Sequence, residues 1–571
     1  MTLESRLDDW SRGWRGPVFA ALVALIAGLP GLFAMPPLDR DESRFAQATS
    51  QMLETGDYVV IKFQDQPRFK KPVGIHWLQA ASVKLFSDAE DRRIWAYRIP
   101  SLLGAMLAAA ACAWGAAALF DPRTGLLAGA ILGSSFLLSS EAFIAKTDAA
   151  LCGTTTLAMA ALARIYAAHL RGEASNKWTK LAFWIGLSAA ALIKGPVGLL
   201  VAFFALVGLG VWDRKAAWMK DLGWTWGLIL FAAVVLPWAM MITVATDGAF
   251  WGAAVGGDLA PKLAGGQEGH AGPFGYHALV APILTFPGTL LLPAGLALAW
   301  TGRREPGVRF AVCWLVPTWL MFEILPTKLI HYELPAYGAL AMLMAATVRA
   351  PLGKLVRRIG AGLSVFAGLV LAVVAIYGQA QFGTGADLAW TVLAAGLALG
   401  AGIAGAVLLL RHHSARALVT AGVLGIGAHV ALTAGLLPRL EPLFLSKDVA
   451  DALDHAKLSP RSGAAGPVAV TGYSEPSLIF QLGTATELTD GEGAAQAILE
   501  GRPAVVEGRE DKPFRDGLAE QGLTPRPVAV IPGLNYSDGD RERLTIYRGE
   551  PQVPEPDDAE IPETSPPETA R

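Results

Sequence analysis

The chain has 571 residues, of which 53% are hydrophobic and 17% charged. Counting its 62 glycines, roughly 64% of it is apolar, against roughly 45–50% in soluble domains, so a water-soluble enzyme of this length is excluded. The net charge of −2 hides an asymmetry: from Glu441 onward there are 12 basic and 24 acidic residues, and before it 35 basic and 25 acidic. Neither part carries the basic stripe of a nucleic-acid binder, so no nucleic-acid partner is expected.

A bilayer core of about 30 Å needs about 20 mostly apolar residues in a helix. That criterion predicts about thirteen spans, near 17–36, 97–120, 124–142, 147–168, 179–193, 195–212, 222–245, 276–300, 308–325, 331–348, 355–377, 388–410 and 416–437. One alternate set of short loops holds 19 basic residues, from Arg6 and Arg12 through Arg214 and Arg303 to Arg411 and Arg416. The opposite short loops hold Lys146, Lys194 and Lys328. The basic set marks the cytoplasmic side, which places the N-terminus in the cytoplasm and the C-terminal part outside it. No cleavable signal pattern precedes the first span.

Two outer loops are long. The first, about Pro37–Arg93, holds nine basic residues and many acids. Phe45, Met52 and Leu53, and likewise Ile75, Leu78 and Leu85, stand at helical spacing, which predicts amphipathic helices lying at the interface. Within this loop Lys84, Arg92 and Arg93 read as anchors whose heads reach the lipid headgroups. The second loop, about Ala245–Gly275, is rich in glycine, contains Lys262, Gln267, Glu268 and His270, and reads as a candidate flexible lid.

Beyond residue 440 the texture changes. Val468–Thr471, Ala504–Val506, Val528–Ile531 and Leu544–Tyr547 predict short strands, with helices at Asp448–Lys457 and Gly493–Glu500 between them. The expected fold is a polytopic α-helical membrane domain over 1–440 and a small extracytoplasmic α/β domain over 441–550. A disordered tail over 551–571, rich in proline and acids, follows. Cys112, Cys152 and Cys313 all lie in hydrophobic segments, which leaves the C-terminal part without a disulfide or a cysteine zinc site.

Charged groups beside membrane spans are costly and are therefore functional candidates. Here they gather at the outer span ends: Asp41, Glu42 and Arg44; Lys70 and Lys71; Glu141, Lys146 and Asp148; Lys194; Lys328, His331 and Glu333. One shared level implies one polar cavity open to the outside. Lysines there can bind phosphate as point charges, and Asp41 or Asp148 can accept a proton or orient a nucleophile. His76 reads as a hydrogen-bonded structural residue. No HExxH or other metal-ligand spacing is present.

The motifs Asp41-Glu42-Ser43-Arg44-Phe45-Ala46, Met52-Leu53-Glu54-Thr55-Gly56-Asp57-Tyr58, Phe69-Lys70-Lys71-Pro72 with His76-Trp77-Leu78, Arg98-Ile99-Pro100-Ser101, Lys146-Thr147-Asp148, Lys194-Gly195-Pro196 and Pro326–Pro335 stand in one order. That order resembles the C-type glycosyltransferases, in the branch of the aminoarabinose lipid A transferases and the protein O-mannosyltransferases. The resemblance implies inverting transfer of a sugar from a polyprenyl phosphate carrier, outside the cytoplasm, to a lipid, glycan or protein acceptor. By position it implies Asp41 as the main catalytic carboxylate and Asp148 as the second. Lys71 would contact the donor phosphate, Tyr332 would lie beside the lipid phosphate or its chain, and Lys194, Lys328 and His331 would join them. Glu42 and Arg44 would support. In the aminoarabinose transferases an acid precedes the lysine equivalent to Lys71 and helps bind zinc; here Lys70 stands there, so no metal is expected, nor any cofactor. The Gly- and Ala-rich composition suits a bacterial inner membrane. A secondary transporter of an anionic substrate and an enzyme of the O-antigen ligase or polymerase kind are the competing readings, although no internal repeat of the transporter type is found.

Overall fold

In the computed structural model, which describes residues 3–214, 216–261 and 272–549, the chain folds as two units divided after Phe444. Lys262, Gln267, Glu268 and His270 of the expected lid, and the expected tail 551–571, lie outside the described residues.

The first unit is helical. A short α1 (Leu3–Trp10) precedes α2 (Arg15–Ala34), the first long apolar helix. Next come α3 (Asp41–Thr55), a two-stranded hairpin of β1 (Lys62–Phe63) and β2 (Gln66–Pro67), and α4 (Gly74–Phe86). The chain then continues through α5 (Ile94–Leu119), α6 (Pro122–Ser134), α7 (Phe136–Glu141), α8 (Asp148–Leu170), α9 (Lys177–Lys194) and α10 (Val197–Asp213). Among the described residues eight helices are long and apolar enough to cross a membrane, and Tyr276–Leu284 with Gly288–Thr301 forms a ninth candidate bent by 119°. The remaining expected spans are helical but shorter, broken or more charged. The helix of 124–142 is interrupted at Ser135, α9 carries lysine at both ends, and α10 has 17 residues. At 1.5 Å per residue, α10 reaches only about 26 Å.

Small residues let these helices approach closely. Gly104 of α5 faces Gly153 of α8 so tightly that a Cβ on Gly153 would stand 2.4 Å from the Gly104 carbonyl oxygen. Without a hydrophobic drive between helices in lipid, such close backbone packing is a main source of association. It brings the N-terminal end of α8, with Asp148, against the outer half of α5.

Helix α3 begins with Asp41 and Glu42 in its first turn, where the helix dipole favours anions. It ends at Gly56, whose φ of +72° suits only glycine well. Phe45 and Met52 are buried as the spacing requires, and Ile75 of α4 is fully buried. Leu78 and Leu85 point outward instead, so the α4 stripe splits between two faces. Arg92 also departs from its reading as a headgroup anchor. It is buried and donates to Gln47 Oε1 at 2.6 Å and to Glu54, tying the start of α5 to α3.

The second unit is a five-stranded mixed sheet in the order β4-β3-β5-β7-β6. Strands β3 (Ala469–Thr471), β5 (Ala504–Glu507), β6 (Pro527–Asn535) and β7 (Asp540–Tyr547) cover the four expected runs. Strand β4 (Glu487–Thr489) pairs parallel to β3 at the sheet edge; it has three residues and no apolar run to announce it. The helices Leu445–His455 and Gly491–Leu499 lie close to where they were expected.

Candidate active site

The site is held by a buried clasp. Arg98, fully buried on α5, donates from Nε to Glu42 Oε1 at 2.8 Å and from Nη2 to Glu42 Oε2 at 2.7 Å. Its remaining donors take the carbonyls of Leu32, Met35 and Pro36. Glu42 also accepts the backbone N–H groups of Leu38 (2.8 Å) and Ala145 (2.7 Å). One carboxylate thus joins the end of α2, the start of α3 and the segment before α8. Its four donors compensate the cost of burying it, and they leave it no lone pair for a substrate.

Around this clasp the outer charges converge. The Asp148 carboxylate pairs with Lys194 through Oδ1, while its Oδ2 lies 3.7 Å from Lys146 Nζ and 3.6 Å from His331 Nε2. Lys146 pairs with Glu141 at 3.0 Å and lies 3.3 Å from His331 Nδ1. Lys194 stands 5.4 Å over the Tyr332 ring. Gly195, at φ +64°, lets the chain reverse directly after Lys194 and enter α10.

A cavity of about 270 Å³ opens beside this cluster. Its lining combines Lys70, Lys71, Asp148, Lys194, His331 and Tyr332 with the apolar Leu151, Val197, Phe250, Trp251, Phe322 and Leu325. Lys71 Nζ donates to Asp258 Oδ2 at 2.8 Å. Cationic and apolar side chains around one cavity suit a ligand that carries both an anionic head and an apolar chain.

Asp41 lies outside that lining but belongs to the same cluster. It is reached by solvent while protein surrounds it on most sides, as befits a group in a recess, and it makes no hydrogen bond among the described residues. Burial opposes its ionisation, but the nearby cations, Lys146 first and then Arg68, outweigh that cost and hold its carboxyl below the usual range. Asp41 is therefore an ionised carboxylate with open lone pairs, whereas Asp148 has both oxygens engaged by lysines.

The expected site residues divide by placement. Asp148, Lys71, Lys194, His331 and Tyr332 come together at the cavity, with Asp41 beside them. Lys328 does not join them: its ammonium is buried and donates to the carbonyls of Phe322 (3.0 Å) and Glu323 (2.5 Å), capping the end of the helix Pro306–Ile324. Orphan carbonyls at a helix end attract a cation. Glu42 supports through the clasp. Arg44 is half-buried on the first turn of α3 and is not part of the cavity wall. His76 is a core residue, with Nδ1 2.8 Å from Thr49 Oγ1 and its ring stacked on Phe45, while its buried Nε2 finds no hydrogen-bond partner among the described residues. Asp258 escaped sequence reasoning, because a lone acid in a glycine-rich segment carries no local signal. Among the described residues the one carboxylate group spaced to hold a metal is Asp538, Asp540 and Glu542, in the second unit. There the Arg509 guanidinium already contacts Glu542 at 2.8 Å and Asp540 at 3.7 Å.

Residues 38–250 match the family model of the dolichyl-phosphate-mannose-protein mannosyltransferases. The chain is 29% identical over 367 residues to the undecaprenyl phosphate-alpha-4-amino-4-deoxy-L-arabinose arabinosyl transferase of Pectobacterium atrosepticum, covering 62% of this chain and 64% of that one. It is 29% identical over 356 residues to the enzyme of the same description from Pseudomonas aeruginosa, covering 61% and 63%. The chain thus spans somewhat under two thirds of the length of these curated relatives. Its fold matches the crystal structures of ArnT from Cupriavidus metallidurans. The form bound to undecaprenyl phosphate has a TM-score of 0.70 at 18% identity, with 92% of this chain and 97% of that one covered. The apo form has a TM-score of 0.70 at 19% identity, with 93% and 97% covered. The chain is thus similar over residues 38–250 to the dolichyl-phosphate-mannose-protein mannosyltransferases, over somewhat under two thirds of its length to these arabinosyl transferases, and in fold to ArnT.

Proposed function

We propose that the protein is an inverting glycosyltransferase that moves a sugar from a polyprenyl phosphate carrier to an acceptor outside the cytoplasm, with lipid A or a related envelope glycolipid as the favoured acceptor. The observation that carries this reading is the mixed lining of the cavity: Lys71, Lys194, His331 and Tyr332 together with aromatic and aliphatic side chains. A polyprenyl phosphate has that combination within one molecule. The relatives named above, with their undecaprenyl phosphate donors, support the same class.

As the glycosidic bond breaks, negative charge develops on the phosphate. Preorganised ammonium groups in a water-poor site stabilise it without reorganising. Lys71 and Lys194 fill that role, and His331 and the Tyr332 hydroxyl can donate hydrogen bonds to the same oxygens. Inversion requires the acceptor oxygen to attack from the face opposite the phosphate. Asp41, ionised and uncommitted, accepts the proton of an acceptor hydroxyl, or steers an acceptor phosphate that needs no deprotonation. Asp148 holds Lys194 and Lys146 in place. The protein sits in the bacterial inner membrane with its N-terminus cytoplasmic and its C-terminal unit outside. The basic loops support this orientation.

The test is transfer of radiolabel from polyprenyl phosphate sugars in membranes, paired with mass spectrometry of lipid A and envelope glycans with and without the protein. A glycolipid mass shift that needs the protein is expected. Uptake of an anionic solute into vesicles with no transfer would overturn the reading.

A further inference from the structure

Lys71 already has an anion. Its ammonium donates to Asp258 Oδ2 at 2.8 Å, across 187 residues of sequence. The Asp258 side chain is 7% exposed and that of Lys71 23%, so the carboxylate is the more deeply held partner. Both line the cavity with Lys194 and Tyr332. A phosphate that took Lys71 would stand close to the Asp258 carboxylate, and like charges in a poorly hydrated cavity repel strongly. The two anions cannot comfortably share one ammonium.

The segment that carries Asp258 is built to give way. It is a π-helical stretch, Gly252–Leu259, a rare winding that is frequent at functional sites. Among the described residues a Cβ added at Gly252, Gly256 or Gly257 would meet nothing within 4 Å. Glycines also make a change of winding cheap in backbone terms.

We propose that Asp258 is a placeholder for the donor phosphate: it neutralises Lys71 before the donor arrives, is displaced by the phosphate, and so sets donor and product affinity by competition. The proposal rests on the reading that this cavity takes a polyprenyl phosphate. An unpaired ammonium among apolar walls is costly, and Asp258 removes that cost between turnovers. After transfer the carrier phosphate changes from a diester to a monoester and gains negative charge, which would hold it on Lys71. Return of Asp258 to Lys71 opposes this and favours release.

The full-length protein in nanodiscs is titrated with undecaprenyl phosphate, with uncharged undecaprenol as the control. Asp258→Asn keeps the shape of the side chain and removes its charge; it should tighten undecaprenyl phosphate binding by about fivefold or more, the scale of coupling between groups in contact, and should slow its dissociation. In a Lys71→Ala background the same change should have little effect. Asp258→Ser, which is smaller and equally uncharged, should behave like Asp258→Asn and guards against a fault of one variant. Unchanged or weaker binding in both variants overturns the proposal while leaving the cavity's function standing. A wild-type protein that binds undecaprenyl phosphate no better than undecaprenol overturns the functional reading, and the placeholder with it.

Discussion

Asp41 and Asp148 stand in one charge cluster, yet their surroundings assign them different work. Asp148 is held by Lys194 and Lys146, whereas Asp41 keeps its lone pairs open. Asp41→Asn should therefore lower kcat/KM by about 10²–10⁴-fold, the range of a lost general base, without loss of the folded, membrane-inserted protein. Near wild-type turnover would remove it from the catalytic role. The cations around Asp41 hold its carboxyl below the usual range. It is thus ionised at neutral pH, and the stability it contributes is present above the unfolded value near 4 and is lost only as pH falls through the lower folded value. Lys71→Ala should raise the donor KM by about tenfold or more, the size of one lost hydrogen bond between charged groups, and should leave acceptor KM nearly unchanged. Steady-state kinetics with each substrate varied in turn checks this split.

At the scale of elements, the Glu42–Arg98 clasp carries the assembly of α2, α3 and α5. Removing one partner leaves the other as an uncompensated buried charge, at a cost of about 3–5 kcal/mol. Arg98→Ala should therefore sharply lower the thermal midpoint in detergent, and Glu42→Ala with Arg98→Ala together should cost less than the sum of the single changes. Additive losses in a double-mutant cycle would show that the pair does not act as a unit. The α5–α8 crossing at Gly104 and Gly153 has a comparable role, because any Cβ at Gly153 collides with a backbone carbonyl. These two contacts set where Asp148 stands relative to Asp41, so that spacing depends on residues outside the cavity wall.

For the whole molecule, the mapped cavity residues all precede Tyr337, and Leu445 onward forms a unit of its own. A chain ending after Phe444 should still bind the donor and release polyprenyl phosphate to water, while transfer to the acceptor falls if the C-terminal unit selects it. Phosphate-carrier release by the truncated protein, measured by thin-layer chromatography, decides this. Loss of all donor chemistry in a stably folded truncation would place part of the site in the second unit. Labelling of a cysteine at Ser537 from outside the cell membrane is expected from the basic-loop asymmetry; protection there would invert the topology.

Much of this organisation is legible in the chain, and the reasons are physical. Transfer of apolar residues into a bilayer is governed by local composition, so long helices such as Arg15–Ala34 and Lys354–Phe382 are visible as hydropathy alone. Charges such as Asp41, Lys71 and Asp148 stand out because lipid makes them costly, and their shared level announces one cavity. Edge strand β4 and the broken span at Ser135 were not legible, since neither changes the hydropathy of its neighbourhood enough to be seen. The roles of individual charges were decided only in three dimensions. Lys194 and Lys328 look alike in sequence, each a lysine in a short outer loop. One meets Asp148 and the cavity, and the other is spent on helix-end carbonyls. Asp258 meets Lys71 only because the fold brings together residues 187 positions apart. Sequence by itself determines which groups are too costly to be there without purpose. Partner identity depends on which opposite charge the packing places within hydrogen-bond reach, and that is a property of the tertiary structure alone.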